Sequence, residues 1–199
     1  MCRERISAAG VYCGIRKNKS KKDLALIYSE KKKLPAPAST HSLVKGAPIA
    51  VTKANVADGY ASAIICNSGN ANTCNANGVE IAAQMCDLLG QALKIPAADI
   101  VVASTGMIGK TLDIEPIASS IAPLIAALND DNRLQRPETI MTTDLAKKEI
   151  AFAFELDGKT CHIGGIAKGG SMIQPNMATM CWVFITTDRK ISLLRCKKR

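Results

Sequence analysis

Apolar residues follow a helical period in two parts of the chain. In residues 79–93 they fall at positions 81, 85, 88 and 92 and again at 82, 86, 89 and 93. This i, i+3/i+4 recurrence predicts an amphipathic helix, and Pro96 stands just beyond it, as at a helix end. A second stripe, at positions 114, 117, 121, 124 and 128, predicts a helix over about residues 113–128, with Asp113 as its N-cap and a bend at Pro123.

Shorter apolar runs predict strands. The runs at 10–15 and 23–28 are joined by a basic loop, which predicts a hairpin. A second hairpin is predicted where residues 150–156 alternate in polarity, turn at Asp157-Gly158 and return over 160–166.

Two further runs are typical of buried strands. Residues 99–103 predict one that leads into the turn Ser-Thr-Gly-Met-Ile-Gly at 104–109. Residues 178–187 are apolar on both faces, which predicts a central strand between two layers. Strands and helices thus alternate irregularly, so we expect a single domain over residues 1–199 with an α/β (α+β) layered fold.

Composition excludes several classes of protein. Hydrophobic residues make up 47% of the 199 residues, against 14 Gly and 8 Pro, so a packed core is expected rather than disorder. No run approaches the roughly 18 apolar residues of a membrane-spanning helix, and the charged first ten residues lack the apolar segment of a signal peptide. We therefore expect a cytoplasmic protein without a membrane partner.

The eight cysteines raise the question of a disulfide or zinc framework. No two of them have the spacing C-x-x-C, and only His41 and His162 are available as histidine ligands. Both frameworks are therefore disfavoured, and no metal site is expected. The cysteines are more typical of small buried core residues in a reducing compartment.

The chain carries a formal net charge of +9, from 26 Lys and Arg against 17 Asp and Glu. Its basic residues gather around 17–22, at 31–33 and at the end of the sequence, with Tyr28 as the neighbouring aromatic. Nucleic-acid-binding proteins usually interleave such charges with stacking aromatics. A solvated surface is therefore favoured, and no nucleic-acid partner is expected.

The turn at 104–109 allows two chemical interpretations. Gly109-Lys110-Thr111 is similar to the end of a phosphate-binding loop, but such a loop needs a glycine where this chain has Ser104, which disfavours nucleotide binding. Alternatively, the Thr105 hydroxyl and the Gly106 N–H face one point, as in an oxyanion hole. Such a hole has meaning only beside a nucleophile, and an ordinary turn explains the residues equally well.

Thr179 is a candidate nucleophile. The glycine-rich stretch 168–178 leads into the last predicted strand and leaves Thr179 at its entrance. If the Ala178–Thr179 bond were broken, the new α-amine, with a reference pKa of about 7.7–8.0, could take the proton from the threonine hydroxyl. The alternative is an ordinary threonine at the start of a strand.

Four motifs occur together and in order: Asn-Ser-Gly-Asn-Ala-Asn at 67–72, Ser-Thr-Gly-Met-Ile-Gly at 104–109, Met-Thr-Thr-Asp at 141–144 and Ala-Lys-Gly-Gly-Ser-Met-Ile-Gln-Pro-Asn-Met-Ala-Thr-Met at 167–180. With Ala-Gly-Val at 9–11 and Lys-Asp-Leu-Ala-Leu-Ile at 22–27, they resemble the bifunctional ornithine acetyltransferase / glutamate N-acetyltransferase family of arginine biosynthesis. The resemblance covers the chain to about residue 188. It implies a layered sandwich of the ornithine acetyltransferase, N-terminal-nucleophile-like type.

The resemblance also implies roles for individual residues. The precursor would cut itself between Ala178 and Thr179, so that residues 1–178 correspond to the family's α chain and 179–199 to the start of its β chain. Thr179 would be the nucleophile. Thr105 and Gly106 would form the oxyanion hole. The substrate would be bound by Lys168, Thr179 and one of Thr142 or Thr143.

The implied reaction moves an acetyl group from N-acetylornithine to glutamate through an acetyl-threonine intermediate. It needs no cofactor, and acetyl-CoA could act as a further acetyl donor. The implied assembly is a heterotetramer of α and β chains cut from one precursor.

The chain departs from the family in its length. Family members extend well beyond the nucleophile, whereas here only residues 179–199 follow the cleavage position, so we expect this sequence to lack the C-terminal half of the family fold. A strand meant for the middle of a sandwich would then expose apolar surface. Besides a working transferase, the alternative is therefore an inactive truncated fragment or a non-catalytic assembly subunit.

Overall fold

The computed structural model describes residues 6–29, 34–35, 45–129, 136–169 and 182–188. The strands within these ranges are β1 (Ile6–Val11), β2 (Leu24–Ser29), β3 (Leu34–Pro35), β4 (Tyr60–Ala61), β5 (Ala63–Asn67), β6 (Ile100–Ser104), β7 (Lys148–Leu156), β8 (Lys159–Lys168) and β9 (Trp182–Thr187). The helices are α1 (Ala47–Asn55), α2 (Gly78–Leu93), α3 (Glu115–Ala126) and α4 (Arg136–Ile140), with 3₁₀ turns at Ala97–Asp99 and Ala127–Asn129. Both predicted helices and both predicted hairpins are present.

A four-stranded sheet in the order β1-β2-β5-β6 forms the middle layer of the fold. β2 pairs antiparallel with both β1 and β5, whereas β6 runs parallel to β5. Helix α2 connects these two parallel strands, because a parallel pair needs a crossover rather than a tight turn. The carboxyl ends of β5 and β6 therefore lie side by side, with Asn67 opposite Ser104.

The first strand lies earlier than the apolar run at 10–15 indicated. β1 ends at Val11, and the residues after it leave the sheet. The buried carboxylate of Asp23 accepts the N–H groups of Cys13 at 2.6 Å and Arg16 at 2.8 Å. These bonds satisfy backbone donors outside the sheet, so this part of the run becomes a loop.

Helices α1, α2 and α3 cover one face of this sheet. The buried side chains at their interface are Leu24, Leu26, Ile65, Ile100 and Val102 from the strands and Ile81, Met85, Leu89, Ile117 and Leu124 from the helices. The predicted apolar stripes of α2 and α3 thus face the core. The N-cap of α3 is Ile114 and not the predicted Asp113. Asp113 lies one position before the N-cap, and its carboxylate accepts the N–H of Glu115.

Helix α1 is an element that the apolar pattern does not predict. Its position depends on two polar side chains that bond to the backbone of β6. Thr52 Oγ1 donates to the carbonyl of Val102 and accepts its N–H, at 2.8 and 3.1 Å, and Asn55 Nδ2 donates to the carbonyl of Ile100 at 2.8 Å. α1 therefore satisfies backbone groups at the edge of the sheet that β6 would otherwise leave unpaired.

A second, three-stranded antiparallel sheet in the order β7-β8-β9 lies on the other face of the first. Buried Ala25, Cys66 and Ile140 form a small core there, against which Ile166, Trp182 and Phe184 pack. The layers are therefore helices, sheet and sheet, which confirms the expected layered α/β fold.

The prediction of a buried central strand over 178–187 is wrong for its described part. β9 is an edge strand of the second sheet within the described ranges, and Val183 and Ile185 are 65% and 66% exposed. Only Trp182 and Phe184 point toward the small core, because side chains alternate along a strand. Val183 and Ile185 share the opposite side of the sheet, here called the outer face, with exposed Ile150, Phe152, Phe154 and Leu156.

The described cysteines are free thiols. Cys66, Cys86 and Cys161 are buried, as expected, whereas Cys74 is exposed. Burial raises the pKa of Cys86 to about 12 and, together with the nearby Asp23 carboxylate, that of Cys13 to about 12, so both thiols stay protonated at neutral pH. Among the described residues no helix is long and apolar enough to cross a membrane, and no group of three or more His, Cys, Asp or Glu could hold a metal ion.

Candidate functional site

The turn after β6 places Thr105 and Gly106 at the carboxyl end of the central sheet. Thr105 is buried, and its N–H donates to the carbonyl of Asn67 at 2.9 Å. Gly106 is exposed and has φ +129°, a conformation that side-chain-bearing residues rarely adopt. A Cβ at this position would lie 2.5 Å from the carbonyl carbon of Gly69, so the close approach of the two backbones requires glycine.

The asparagine loop, residues 67–72, holds this turn in place. The buried side chain of Asn67 accepts the N–H groups of Gly69 at 3.2 Å and Asn70 at 3.0 Å through Oδ1. Its Nδ2 group donates to Ser104 Oγ at 2.7 Å. The side chain thus joins the loop to the end of β6. This is a role that the sequence motif did not reveal, although asparagine is a typical residue for such turns.

The backbone N–H of Gly106 is an open donor in this turn. Met107 donates its N–H to the carbonyl of Gly69 at 3.4 Å and accepts the N–H of Ala71 at 2.8 Å, which forms a short bridge. Between Thr105 and Met107, the N–H of Gly106 has no acceptor among the described residues. A bound group could therefore accept this hydrogen bond.

Lys168, the last residue of β8, brings three parts of the chain together. The residue is 4% exposed, and its Nζ donates to Thr105 Oγ1 at 2.9 Å and to Thr142 Oγ1 at 3.1 Å. The Nζ also lies 5.7 Å from the ring centroid of Trp182, its partner in the β8–β9 register. Of the two candidate threonines, Thr142 contacts the lysine, whereas Thr143 is exposed.

Asp144 contacts the backbone of this cluster and was not predicted as a site residue. Its side chain is 1% exposed, and its carboxylate accepts the N–H of Gly169 at 2.8 Å and of Thr142 at 3.3 Å. Lys148 Nζ lies 2.6 Å from the same carboxylate. Burial opposes ionisation, but these hydrogen bonds outweigh it and lower the pKa of Asp144 to about 2. The carboxylate is therefore charged at neutral pH.

Arg16 is a second residue that sequence reasoning missed. Its guanidinium donates to the carbonyl of Ser68 through Nε at 2.9 Å and to the carbonyl of Met141. Burial lowers the pKa of Arg16, and the nearby Asp23 opposes this shift. The arginine ties the asparagine loop to the turn that carries Thr142. The only signal in the sequence was that Asp23, which fixes the Arg16 backbone, belongs to one of the motifs.

Ala178 and Thr179, the predicted cleavage position and nucleophile, lie outside the described residues. The described residues on either side of this segment are nevertheless close to the cluster. Lys168 and Trp182 are opposite each other in neighbouring strands, and Gly169, with φ +96°, follows the lysine directly. The chain therefore leaves the second sheet after Lys168 and re-enters it at Trp182, directly opposite the lysine.

Comparison with known proteins gives a consistent result. The sequence model of the ArgJ family matches residues 7–198. The arginine biosynthesis bifunctional protein ArgJ of Desulfotalea psychrophila is 40% identical over 96% of this chain and 49% of its own length. The protein of the same name from Gloeobacter violaceus is 42% identical over 94% of this chain and 46% of its own length. The chain thus spans about half the length of the curated relatives it matches.

Two solved structures are similar to this chain. One is the crystal structure of arginine biosynthesis bifunctional protein ArgJ from Bacillus halodurans, with a TM-score of 0.76 at 34% identity. The match covers 87% of this chain and 91% of the Bacillus chain. Ornithine acetyltransferase from Mycobacterium tuberculosis, solved with ornithine, has a TM-score of 0.72 at 28% identity, with coverages of 87% and 92%. The family match over nearly the whole sequence and these likenesses together show that the chain belongs to the ArgJ family.

Proposed function

We propose that this chain carries the first part of an ornithine acetyltransferase, with Thr179 as its nucleophile. In the proposed reaction Thr179 Oγ1 attacks the acetyl carbonyl of N-acetylornithine and ornithine leaves as the amine. The amino group of glutamate then attacks the threonine ester and takes the acetyl group. One observation carries this proposal: Lys168 donates to the hydroxyls of both Thr105 and Thr142, and Thr105 is followed directly by Gly106, whose N–H has no acceptor among the described residues.

The proposed oxyanion hole consists of the Thr105 hydroxyl and the Gly106 N–H. An ammonium group can only donate, so Thr105 Oγ1 accepts from Lys168 and keeps its own hydrogen for another acceptor. Two donors fixed in this way would stabilise the negative oxygen of a tetrahedral intermediate. Loss of one such donor typically costs about 3 kcal/mol of transition-state stabilisation.

Self-cleavage would produce the nucleophile. The Thr179 hydroxyl would attack the Ala178 carbonyl, the Thr179 nitrogen would leave as a free amine, and water would then hydrolyse the resulting ester. The position of Lys168 beside both described flanks of the 170–181 segment supports this step. The lengths of the relatives also support it. This chain covers 91% and 92% of the solved chains but only 49% and 46% of the curated relatives. The solved chains are thus about half as long as the curated relatives, as a precursor cut near its middle would give.

Lys168 and Thr142 are the proposed substrate-binding residues beside Thr179. Lys168 offers a compact cation for the carboxylate that N-acetylornithine and glutamate share. Thr142 is preferred to Thr143 because its hydroxyl contacts Lys168 while Thr143 is exposed.

Residues 1–178 and 179–199 would belong to the α and β chains of a cytoplasmic heterotetramer. No cofactor is needed, and acetyl-CoA is a further donor to be included in the assay.

A second candidate function is that of an assembly subunit without activity of its own. The outer face supports it, since a contiguous set of exposed apolar side chains on one side of a sheet is typical of an interaction surface.

Intact-mass analysis of the purified chain tests the proposal. We expect two products, residues 1–178 and 179–199, whose masses sum to that of the chain plus one water. Thr179→Ala should stay whole, Thr179→Ser should still be cut, and Thr187→Ala in β9 is the matched control that should behave as the wild type. A wild-type chain that stays whole after long incubation contradicts self-cleavage. Acetyl transfer from N-acetylornithine to glutamate, followed by mass spectrometry, then separates a transferase from an inactive fragment or assembly subunit.

A further inference from the structure

We propose that Asp144 is a positioning residue that sets the place of the Lys168 ammonium group relative to Thr142 and Trp182. This inference rests on the proposed function of the site, and it concerns a residue that does not itself contact Thr105. The evidence is one buried carboxylate that holds the backbone on both sides of the Lys168–Thr142 contact.

The contacts form a closed ring. Thr142 donates its N–H to Asp144 Oδ2 at 3.3 Å, and Gly169 donates its N–H to Asp144 Oδ1 at 2.8 Å. Lys168, which precedes Gly169, returns to Thr142 through its side chain at 3.1 Å. A shift of the carboxylate would therefore move the backbone of the threonine and that of the lysine relative to each other.

A charged carboxylate is suited to this position, and an amide is not. The carboxylate offers only acceptors, so it can serve both backbone N–H groups and Lys148 Nζ together. An asparagine of the same shape can accept from Gly169 or from Thr142 but would direct its NH₂ group at the other donor. Asp144→Asn therefore changes the hydrogen bonds of the ring while it keeps the volume of the side chain.

The chain contains its own reporter for the position of Lys168. Trp182 is the one tryptophan in the sequence, and the Lys168 ammonium group lies 5.7 Å from the centre of its ring. Indole emission responds to a charge at this distance. The emission of Trp182 thus reports on Lys168, and it is read in the Thr179→Ala chain so that cleavage three residues before the indole cannot change it.

The test compares the emission of Trp182 in a double-mutant cycle. Lys168→Met should shift the emission maximum by removing the cation, and Asp144→Asn should shift it in the same direction. Because both changes act through the same ammonium group, we expect the double variant to resemble Lys168→Met alone. Glu138→Gln is the matched control, because it removes a carboxylate that pairs with Lys147 on the surface; it should leave the emission unchanged. Circular dichroism verifies that each variant is folded.

Several results would overturn the proposal. Wild-type emission in Asp144→Asn would show that the lysine keeps its place without the carboxylate, and additive shifts in the double variant would indicate a general structural effect. An unchanged emission in Lys168→Met would remove the contact on which the inference rests. If Asp144→Asn does not fold, Asp144→Glu takes its place, since it moves the carboxylate by one methylene group and should give the same non-additive shift.

Self-cleavage gives an independent second readout. Asp144→Asn should slow the appearance of the two products on the order of tenfold to a hundredfold, the usual effect of a small misplacement near a reacting group, while Glu138→Gln should not. Equal rates in wild type and Asp144→Asn would refute the positioning role and leave the proposed function intact. A wild-type chain that is never cut would refute the proposed function, and the emission cycle would still decide the role of Asp144.

Discussion

The ammonium group of Lys168 donates a hydrogen bond of 2.9 Å to the hydroxyl of Thr105, which lies 63 positions earlier in the chain. This contact joins the second sheet to the end of the first sheet at the turn that also carries Gly106. Because the ammonium group can only donate, it fixes the Thr105 hydroxyl as a donor toward any further group. The bond thus gives a common Ser-Thr-Gly turn a hydroxyl donor of fixed orientation.

The two adjacent threonines should differ in their effect on the reaction. We expect Thr142→Val to reduce the proposed acetyl transfer on the order of tenfold, because Lys168 then loses its hydrogen bond to the Thr142 hydroxyl. Thr143→Val, the matched control at an exposed position, should leave transfer unchanged. Steady-state kinetics with N-acetylornithine measure both. A larger loss in Thr143→Val than in Thr142→Val would assign the substrate-binding role to the other threonine.

Gly106 and Gly109 form a matched pair for backbone strain. Both have positive φ, +129° and +73°, but a Cβ at Gly106 would lie 2.5 Å from Gly69, whereas one at Gly109 meets nothing within 4 Å. Gly109→Ala should therefore lower the free energy of unfolding by only the strain cost of about 1 kcal/mol. Gly106→Ala should lower it by about 3 kcal/mol or more, since the loop backbone must also move. Urea denaturation measures both, and equal losses would contradict the close packing of the turn.

The pH dependence of stability should show the contribution of Asp144. Its pKa is about 2 in the folded chain against an ordinary value of 3.8, so the carboxylate stabilises the fold above about pH 4. This contribution, on the order of 1 to 2 kcal/mol after solvent screening, should be lost as the pH falls from about 4 to 2. The free energy of unfolding of the wild type should fall more steeply over that range than that of Asp144→Asn. Parallel curves for the two proteins would mean that the carboxylate is not stabilised in the folded state.

The outer face should bind apolar dyes and promote self-association. Phe152 and Ile185 are 57% and 66% exposed on this face, and such apolar area favours association in water. The double variant Phe152→Thr with Ile185→Thr should lower the fluorescence of bound anilinonaphthalene sulfonate and keep the β-propensity of both strands. Val79→Thr removes an exposed apolar side chain from α2 and serves as the control. If both variants bind the dye as the wild type does, the outer face is not the source of binding.

The sequence by itself determined the elements whose pattern is local. The stripes of α2 and α3 and the alternation in the β7–β8 hairpin repeat within a few residues, so the periods of helix and strand are visible without tertiary contacts. The motifs also indicated Thr105, Gly106, Lys168 and the pair Thr142 and Thr143, because their residue types and order resemble those of a known family.

Only the tertiary structure decided which distant groups meet. Arg16 bonds to the carbonyl of Met141, 125 positions away, and Thr52 satisfies the edge of β6 from 50 positions away. Asp144 likewise holds the backbone of Gly169 from 25 positions away. These polar side chains pair with backbone groups, which every residue carries, so nothing in the local pattern marks their partners. Buried donors and acceptors must nevertheless be satisfied, and that requirement fixes the site only once the two sheets have packed together.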